Sequence, residues 1–348
     1  MGSQFFILDR SIAEMIFTFL QKSVKKVHGA QAVTLQGDSL QRDSPMKTQQ
    51  TGILLAVIGS LLFSTKAVFV KLAYLYPVDT VSLLTIRMLT ALPVYIVILL
   101  MSRKAGYRAL QKKHWLGIVI SAFLGYYSAS FLDFWGLQFV DASIERLILF
   151  TYPTFIVLIL RIFFQEPLTR KVLFALLLSY VGLVWVFSPQ LGEFSVSREF
   201  WLGAGAILLC AICYAVYMVI SQRLIPRFGT SRYTSIVMIL ACIFVIFHYL
   251  AVMPVKQFFS LDLPVYGYGV AMGILATVLP SYLINFAIQR IGAGKTAIIA
   301  SVGPISTITL AYLFLGERLV WQQWVGAVFI VWSVTVISLE RKKKRKGP

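Results

Sequence analysis

Histidine, cysteine and acid are all scarce in this sequence, and each shortage removes a class of chemistry. The three histidines, His28, His114 and His248, lie far from one another and from any cysteine at ligand spacing. A metal site or a histidine-based hydrolase therefore has no support, and no catalytic residue or cofactor is expected. Cys210, Cys213 and Cys242 all fall inside apolar runs. Cys210-x-x-Cys213 has redox spacing but no βαβ context, which makes it a pair of small packing residues. Acids number 14 against 32 Lys and Arg, a balance that in a soluble chain would raise nucleic acid as a partner. Here the basic residues sit between apolar segments rather than on one folded face, so nucleic-acid binding is set aside. Period-two alternation is missing as well, which excludes a membrane barrel. Gly292-Ala293-Gly294-Lys295-Thr296 resembles the end of a phosphate loop, but the motif's first glycine falls on Gln289 and an apolar helix precedes it. ATP binding there is rejected.

What the chain has in abundance is apolar surface. Of 348 residues 58% are hydrophobic and 13% charged, with a mean hydropathy of +0.80. A soluble core of this size could not hide so much, so the chain reads as a polytopic all-α membrane protein. Ten apolar runs of spanning length follow one another at 52–72, 79–101, 115–136, 143–164, 172–188, 201–221, 233–253, 265–289, 295–315 and 322–339.

The runs form a unit written twice. Ser143–Leu168 and Gly294–Leu319 each carry a proline near the middle and a Glu-x-Leu at the end. One offset of 151 residues places Pro153 on Pro304, Glu166 on Glu317, Ala142 on Ala293, Gly52 on Gly203 and Ser130 on Ser281. Five spans per copy is an odd number, so the second copy enters the bilayer from the opposite side: ten helices as two inverted five-helix repeats, 52–188 and 201–339. Loop charge orients them, with 20 Lys and Arg on the side of both termini against Arg198, Lys256 and Arg318 opposite. The positive-inside bias puts both termini in the cytoplasm, in a bacterial-type inner membrane.

Residues 1–51 form an N-terminal cytoplasmic extension outside the repeat. Phe5–Leu20 could make an amphipathic helix, Asp9 and Glu14 argue against a signal peptide, and Met46 reads as the natural start. Residues 340–348 are a basic cytoplasmic tail suited to anionic lipid.

Charge inside the spans is confined to one copy. Lys66, Arg87, Asp133, Glu145, Arg146 and Arg161 face uncharged residues at the 151 offset. Lys66 sits roughly 9 Å and Arg87 roughly 12 Å below the outer end of its helix, at depths where the cluster could converge. Each charge costs about 2.5–3.5 kcal/mol at a helix centre, so it should face protein or water. Arg161 and Lys71, nearer the ends, read as snorkelling residues. Tyr126, Ser130 and Asp133 share one face of the third helix, and Thr277, Ser281 and Asn285 make the matching stripe on the eighth. Lys66, Arg87, Tyr126, Ser130, Asp133, Ser281 and Asn285 are thus the candidate substrate contacts, with Glu145 and Arg146 as gating or ion-pair residues. Adjacent residues point about 100° apart on a helix, so Glu145 and Arg146 should pair with other helices rather than each other. Pro153, Pro280 and Pro304 are places for a helix to bend. If each acid neutralises one cation, one positive group is left over to receive an anion.

These residues resemble the drug/metabolite transporter superfamily, specifically its ten-helix EamA-type members, over nearly all of 52–339. The second copy carries the resemblance best: Gly303-Pro304, then Leu313-Phe314-Leu315-Gly316-Glu317, then Gly326. In the first copy the end reads Gln165-Glu166, and Phe63-Ser64 stand where the family often has Trp-Gly. The resemblance implies a secondary carrier, often an exporter, with a central cavity shared by both halves, and Arg87 matches an arginine common in the family's second helix. The expectation is export of a small organic metabolite, carboxylate-bearing or amino-acid-like, with protons as a coupling ion through Asp133 and Glu145. The alternatives are an intramembrane lipid-modifying enzyme using Asp133, Glu145 and Arg146, or a non-transporting scaffold.

Overall fold

Asp79 shows how local chemistry starts a helix here: its carboxylate accepts from the Ser82 N–H at 2.8 Å and the Ser82 hydroxyl at 2.5 Å, capping Thr80–Met101. Ser197 does the same for Arg198–Phe228, accepting from the Phe200 N–H at 3.2 Å. The computed structural model describes residues 45–102, 112–164, scattered positions between 170 and 188, 197–300, 302–318 and 320–344. Phe5–Leu20, Glu166 and Leu168 lie outside them. Gln49–Pro348 forms one unit and Met1–Thr48 another.

The described elements are helical. They are α1 Pro45–Ala73, α2 Thr80–Met101, α3 Lys112–Ala122, a π-helical turn Phe123–Ser128, α4 Ala129–Gly136, α5 Ala142–Leu149 and α6 Tyr152–Phe164. The second copy follows with α7 Arg198–Phe228, α8 Thr230–Val252, a short α9 Val255–Phe258, α10 Leu263–Gly273, a second π-helical turn Ile274–Val278, α11 Leu279–Ile299, α12 Val302–Leu315 and α13 Trp321–Lys344. Among the described residues, seven helical stretches are long and apolar enough to cross a membrane, and Val302–Leu315 is a shorter apolar helix. The fifth run, 172–188, is described only at scattered positions, so the described residues carry the two-repeat layout without a count of ten.

Two irregularities obey the repeat. The π-helical turns begin at Phe123 and Ile274, which the 151 offset superimposes. In each the ladder slips by one residue, as when the Ala129 N–H reaches the Leu124 carbonyl. The fourth run breaks between α5 and α6, where Pro153 offers no N–H and the Thr151 N–H and hydroxyl both turn back to the Ile148 carbonyl at 3.0 and 2.7 Å. Its counterpart breaks between Ile299 and Val302, just before Pro304, with the Gly303 N–H on the Ala300 carbonyl at 2.7 Å. Gly292 (φ +81) joins the eighth and ninth runs, so the phosphate-loop lookalike is a link between helices.

Small residues set how closely the helices approach. A Cβ on Gly273 would lie 2.8 Å from Thr90 Cβ and 2.9 Å from the Arg87 carbonyl, so α10 lies directly on α2. Gly273→Val is expected to cost about 1–3 kcal/mol by overpacking and to lower the melting temperature in detergent. Gly267, one turn and a half away, has nothing within 4 Å of such a Cβ. Gly267→Ala should leave that temperature unchanged or raise it slightly, and equal losses at both sites would refute the close-contact account.

Candidate functional site

Arg87 is placed by that α2–α10 contact. With α10 pressed against Ile86 and Thr90, the π-helical turn after it arrives beside the guanidinium, and Thr277 Oγ1 accepts from Arg87 Nε at 2.6 Å. The Thr277 hydroxyl in turn donates to the Met272 carbonyl, five residues back, at 2.8 Å. The π-helical register thus aims Thr277 at Arg87. The other face of the guanidinium lies 5.1 Å from the Phe134 ring centre. Arg87 is buried, Nη1 has no hydrogen-bond partner, and no ion pair to Arg87 forms among the described residues.

Four of the other intramembrane charges meet one another, while Arg161 is exposed, as a snorkelling residue would be. Lys66 Nζ lies 2.7 Å from Asp133 Oδ2 and 3.8 Å from Glu145 Oε1, and Arg146 Nε lies 3.7 Å from Glu145 Oε2. All four side chains are buried. Arg146 also donates from Nη2 to the Phe63 carbonyl at 3.3 Å, and the Phe63 ring sits under both Lys66 and Arg146. The expectation that Glu145 and Arg146 would avoid each other is corrected. Glu145 does reach another helix through Lys66, but the long arginine stem bends round to its neighbour, since a buried guanidinium gains more beside a carboxylate than along its own helix radius.

The leftover charge is therefore Arg87, while Lys66 is occupied by Asp133. Both line a cavity of about 70 Å³ between the repeats. First-repeat walls include Ser60, Phe63, Tyr126, Ser130, Arg146 and Tyr152; second-repeat walls include Cys210, Tyr214, Ile284, Gly303 and Pro304. Two polar atoms of its lining residues, Ser60 Oγ and Arg87 Nη1, have no hydrogen-bond partner, and Arg146 Nε has only its ion pair with Glu145. The Ser64 hydroxyl shares its proton between the Ser60 carbonyl of its own helix at 2.8 Å and the Gly303 carbonyl of the other repeat at 3.1 Å.

Other candidates are spent on structure or stand at the edge. Asn285 accepts from Tyr217 at 3.0 Å and donates to Thr234 at 2.9 Å, a buried amide bonded through both its oxygen and its nitrogen rather than a cavity wall. Ser281 bonds Tyr95 at 2.9 Å and lines a smaller space beside Arg87 with Thr277 and Pro280. Tyr126 is both wall and network, with its hydroxyl 3.2 Å from that of Tyr217. Gly125 permits this, since a Cβ there would lie 2.5 Å from Tyr217 Cβ.

Sequence reasoning missed the aromatic walls Phe63, Tyr152 and Tyr214, and the arginine-holding role of Thr277. A signal for one wall was present: Cys210, Tyr214 and Tyr217 recur at i, i+4, i+7 on α7.

Comparison with known proteins agrees with this architecture. The model of the EamA-like transporter family matches residues 50–188 and 201–339, one match per repeat. Among curated proteins, the uncharacterized transporter YcbK of Bacillus subtilis is 28% identical over 315 residues, covering 88% of this chain and 98% of the relative. The uncharacterized transporter YcxC of the same organism is 27% identical, covering 87% and 98%. A solved crystal structure shares the fold with a TM-score of 0.62 at 19% identity, over 83% of this chain and 98% of its own.

Proposed function

Because the chain belongs to the EamA-like transporter family, we propose that it is a secondary transporter exporting a small organic metabolite that bears a carboxylate. The observation that carries this is Arg87: a buried guanidinium at the wall of a cavity between the repeats, with a nitrogen that has no hydrogen-bond partner and no ion pair among the described residues. A guanidinium fork is shaped for a carboxylate, and Ser60 Oγ adds a further polar atom without a hydrogen-bond partner around the same space. The cavity's 70 Å³ is far below the roughly 300–1,000 Å³ of ligand pockets, so a metabolite enters only when the repeats move apart. Inverted repeats supply that motion by exchanging shapes, which opens the cavity to one side and then the other. Protons serve as the coupling ion through the Asp133–Glu145 pair, whose shared lysine can settle on either acid.

The test is flux of a panel of organic acids in proteoliposomes, with and without an imposed pH gradient. Uptake confined to carboxylates and driven by the gradient is expected. Uptake of neutral analogues at equal rate defeats the anion site, and indifference to the gradient defeats the coupling.

Orientation follows from loop charge in the same proposal. An impermeant thiol reagent added outside intact cells should label Asp262→Cys and Arg318→Cys and spare Gln222→Cys. The opposite pattern would invert the topology.

A further inference from the structure

Glu317 belongs to the second repeat, yet its carboxylate is bonded to the first. Oε1 accepts from the Ala142 N–H and Oε2 from the Ser143 N–H, each at 3.0 Å. These are the first amides of α5, which have no partner inside their own helix and lie at its positive end. Asp141, the residue at the N-cap position, makes no capping bond although aspartate usually does. The cap has been handed to the other half of the molecule. Gly316 makes the presentation possible: with φ +70 it ends α12 in a left-handed turn, and the Glu317 N–H folds back to the Ala311 carbonyl at 3.3 Å.

The neighbours are charged. Lys71 acts electrostatically on both Asp141 and Glu317. Burial pushes the Asp141 carboxyl up, the Glu317 charge adds to this, and Lys71 opposes it. One turn beyond the cap, α5 carries Glu145 and Arg146, and its C-terminal end supplies the cavity wall at Leu149. A pull on the first turn of α5 therefore acts on both the ion cluster and the cavity.

We propose that Glu317 is a cross-repeat latch, whose two bonds to the first amides of α5 hold the cavity shut on the face carrying Asp79, Asp141 and Glu317, and which is released each time the cavity opens to that face. The proposal rests on the alternating-access reading, because only a moving pair of repeats needs a releasable cap. Lys71 is the group positioned to receive the carboxylate once it leaves the amides.

The chain carries its own reporter. Cys210 lines the cavity and is buried, so with Cys213→Ala and Cys242→Ala its alkylation reads cavity access. An impermeant maleimide is applied to the Asp262 face of oriented proteoliposomes, and hydrogen exchange of the 141–147 segment is followed in parallel. Glu317→Ala is expected to raise the Cys210 rate roughly tenfold, the worth of a strong cap, and to speed exchange at Ala142 and Ser143. Glu317→Gln, which retains one acceptor oxygen, should fall between Glu317→Ala and the parent. If Glu317→Ala does not fold, the Gln variant alone decides: a rate within twofold of the parent overturns the latch. Faster amide exchange with an unchanged Cys210 rate also overturns it, since the cap is then structural only. The Arg87 reading is judged separately by flux, so either can fail while the other stands.

Discussion

Arg87→Met is expected to abolish high-affinity carboxylate transport, raising the apparent Km roughly 100-fold, while leaving thermal stability equal to the parent or higher. The affinity loss follows from removing a charge-assisted bond in a dry site, worth about 1.5–3 kcal/mol, or roughly ten- to a hundredfold. The stability result follows from what Arg87 lacks. Its guanidinium is buried with a free Nη1 and, among the described residues, a single side-chain hydrogen bond, to Thr277, so removing it relieves a desolvation cost rather than breaking a pair. Thr277 keeps its own bond to Met272 in the variant. Arg87→Lys retains charge but loses the fork, and a loss of roughly tenfold in apparent affinity is expected. A purely structural arginine would give the reverse pattern: a large drop in melting temperature with normal affinity in the surviving protein. Transport by both variants at parental rate and affinity would remove Arg87 from the anion site.

Asp133→Leu is expected to do the opposite, destabilising the fold by about 3–5 kcal/mol, the usual cost of stranding one partner of a buried ion pair. The stranded group is Lys66, whose remaining carboxylate, Glu145, stands at 3.8 Å rather than the 2.7 Å of Asp133. The double variant Lys66→Met with Asp133→Leu removes the charge and its debt together, and should regain most of the loss. A double-mutant cycle on thermal unfolding in detergent measures the coupling. Additive effects of the two changes would mean that the 2.7 Å contact does not hold the helices together. The contrast with Arg87 separates an ion pair that maintains the cluster from a cation kept free for substrate.

The repeat and the one-sided distribution of charge were legible in the sequence because each depends on residue type and spacing alone. That Lys66, Asp133, Glu145 and Arg146 lie at depths where they could meet was legible too, since depth along a helix follows from rise per residue, but the same reasoning included Arg87, which forms no ion pair with them among the described residues. What could not be read was direction. Asn285 shares a face with Ser281, but whether that face meets a cavity or Tyr217 and Thr234 is decided by how α7 and α8 pack, and no local pattern records this. The Glu145–Arg146 contact escaped for a similar reason: the 100° rule fixes Cβ directions, while a three-methylene stem reaches round them. The Glu317 cap joins residues 174 and 175 apart. The offset had paired Glu317 with Glu166 and Ala142 with Ala293, yet it said nothing about contact between the copies. The π-helical turns left no signature: one precedes Pro280, while its twin precedes Ala129, so proline is not their cause.

Those twin turns also sit where bending would be felt. Helices kink readily at a π-helical turn, and these two carry Gly125 and Tyr126 at the cavity wall and Thr277, which holds Arg87. Flexure at either turn therefore reaches the cavity lining directly.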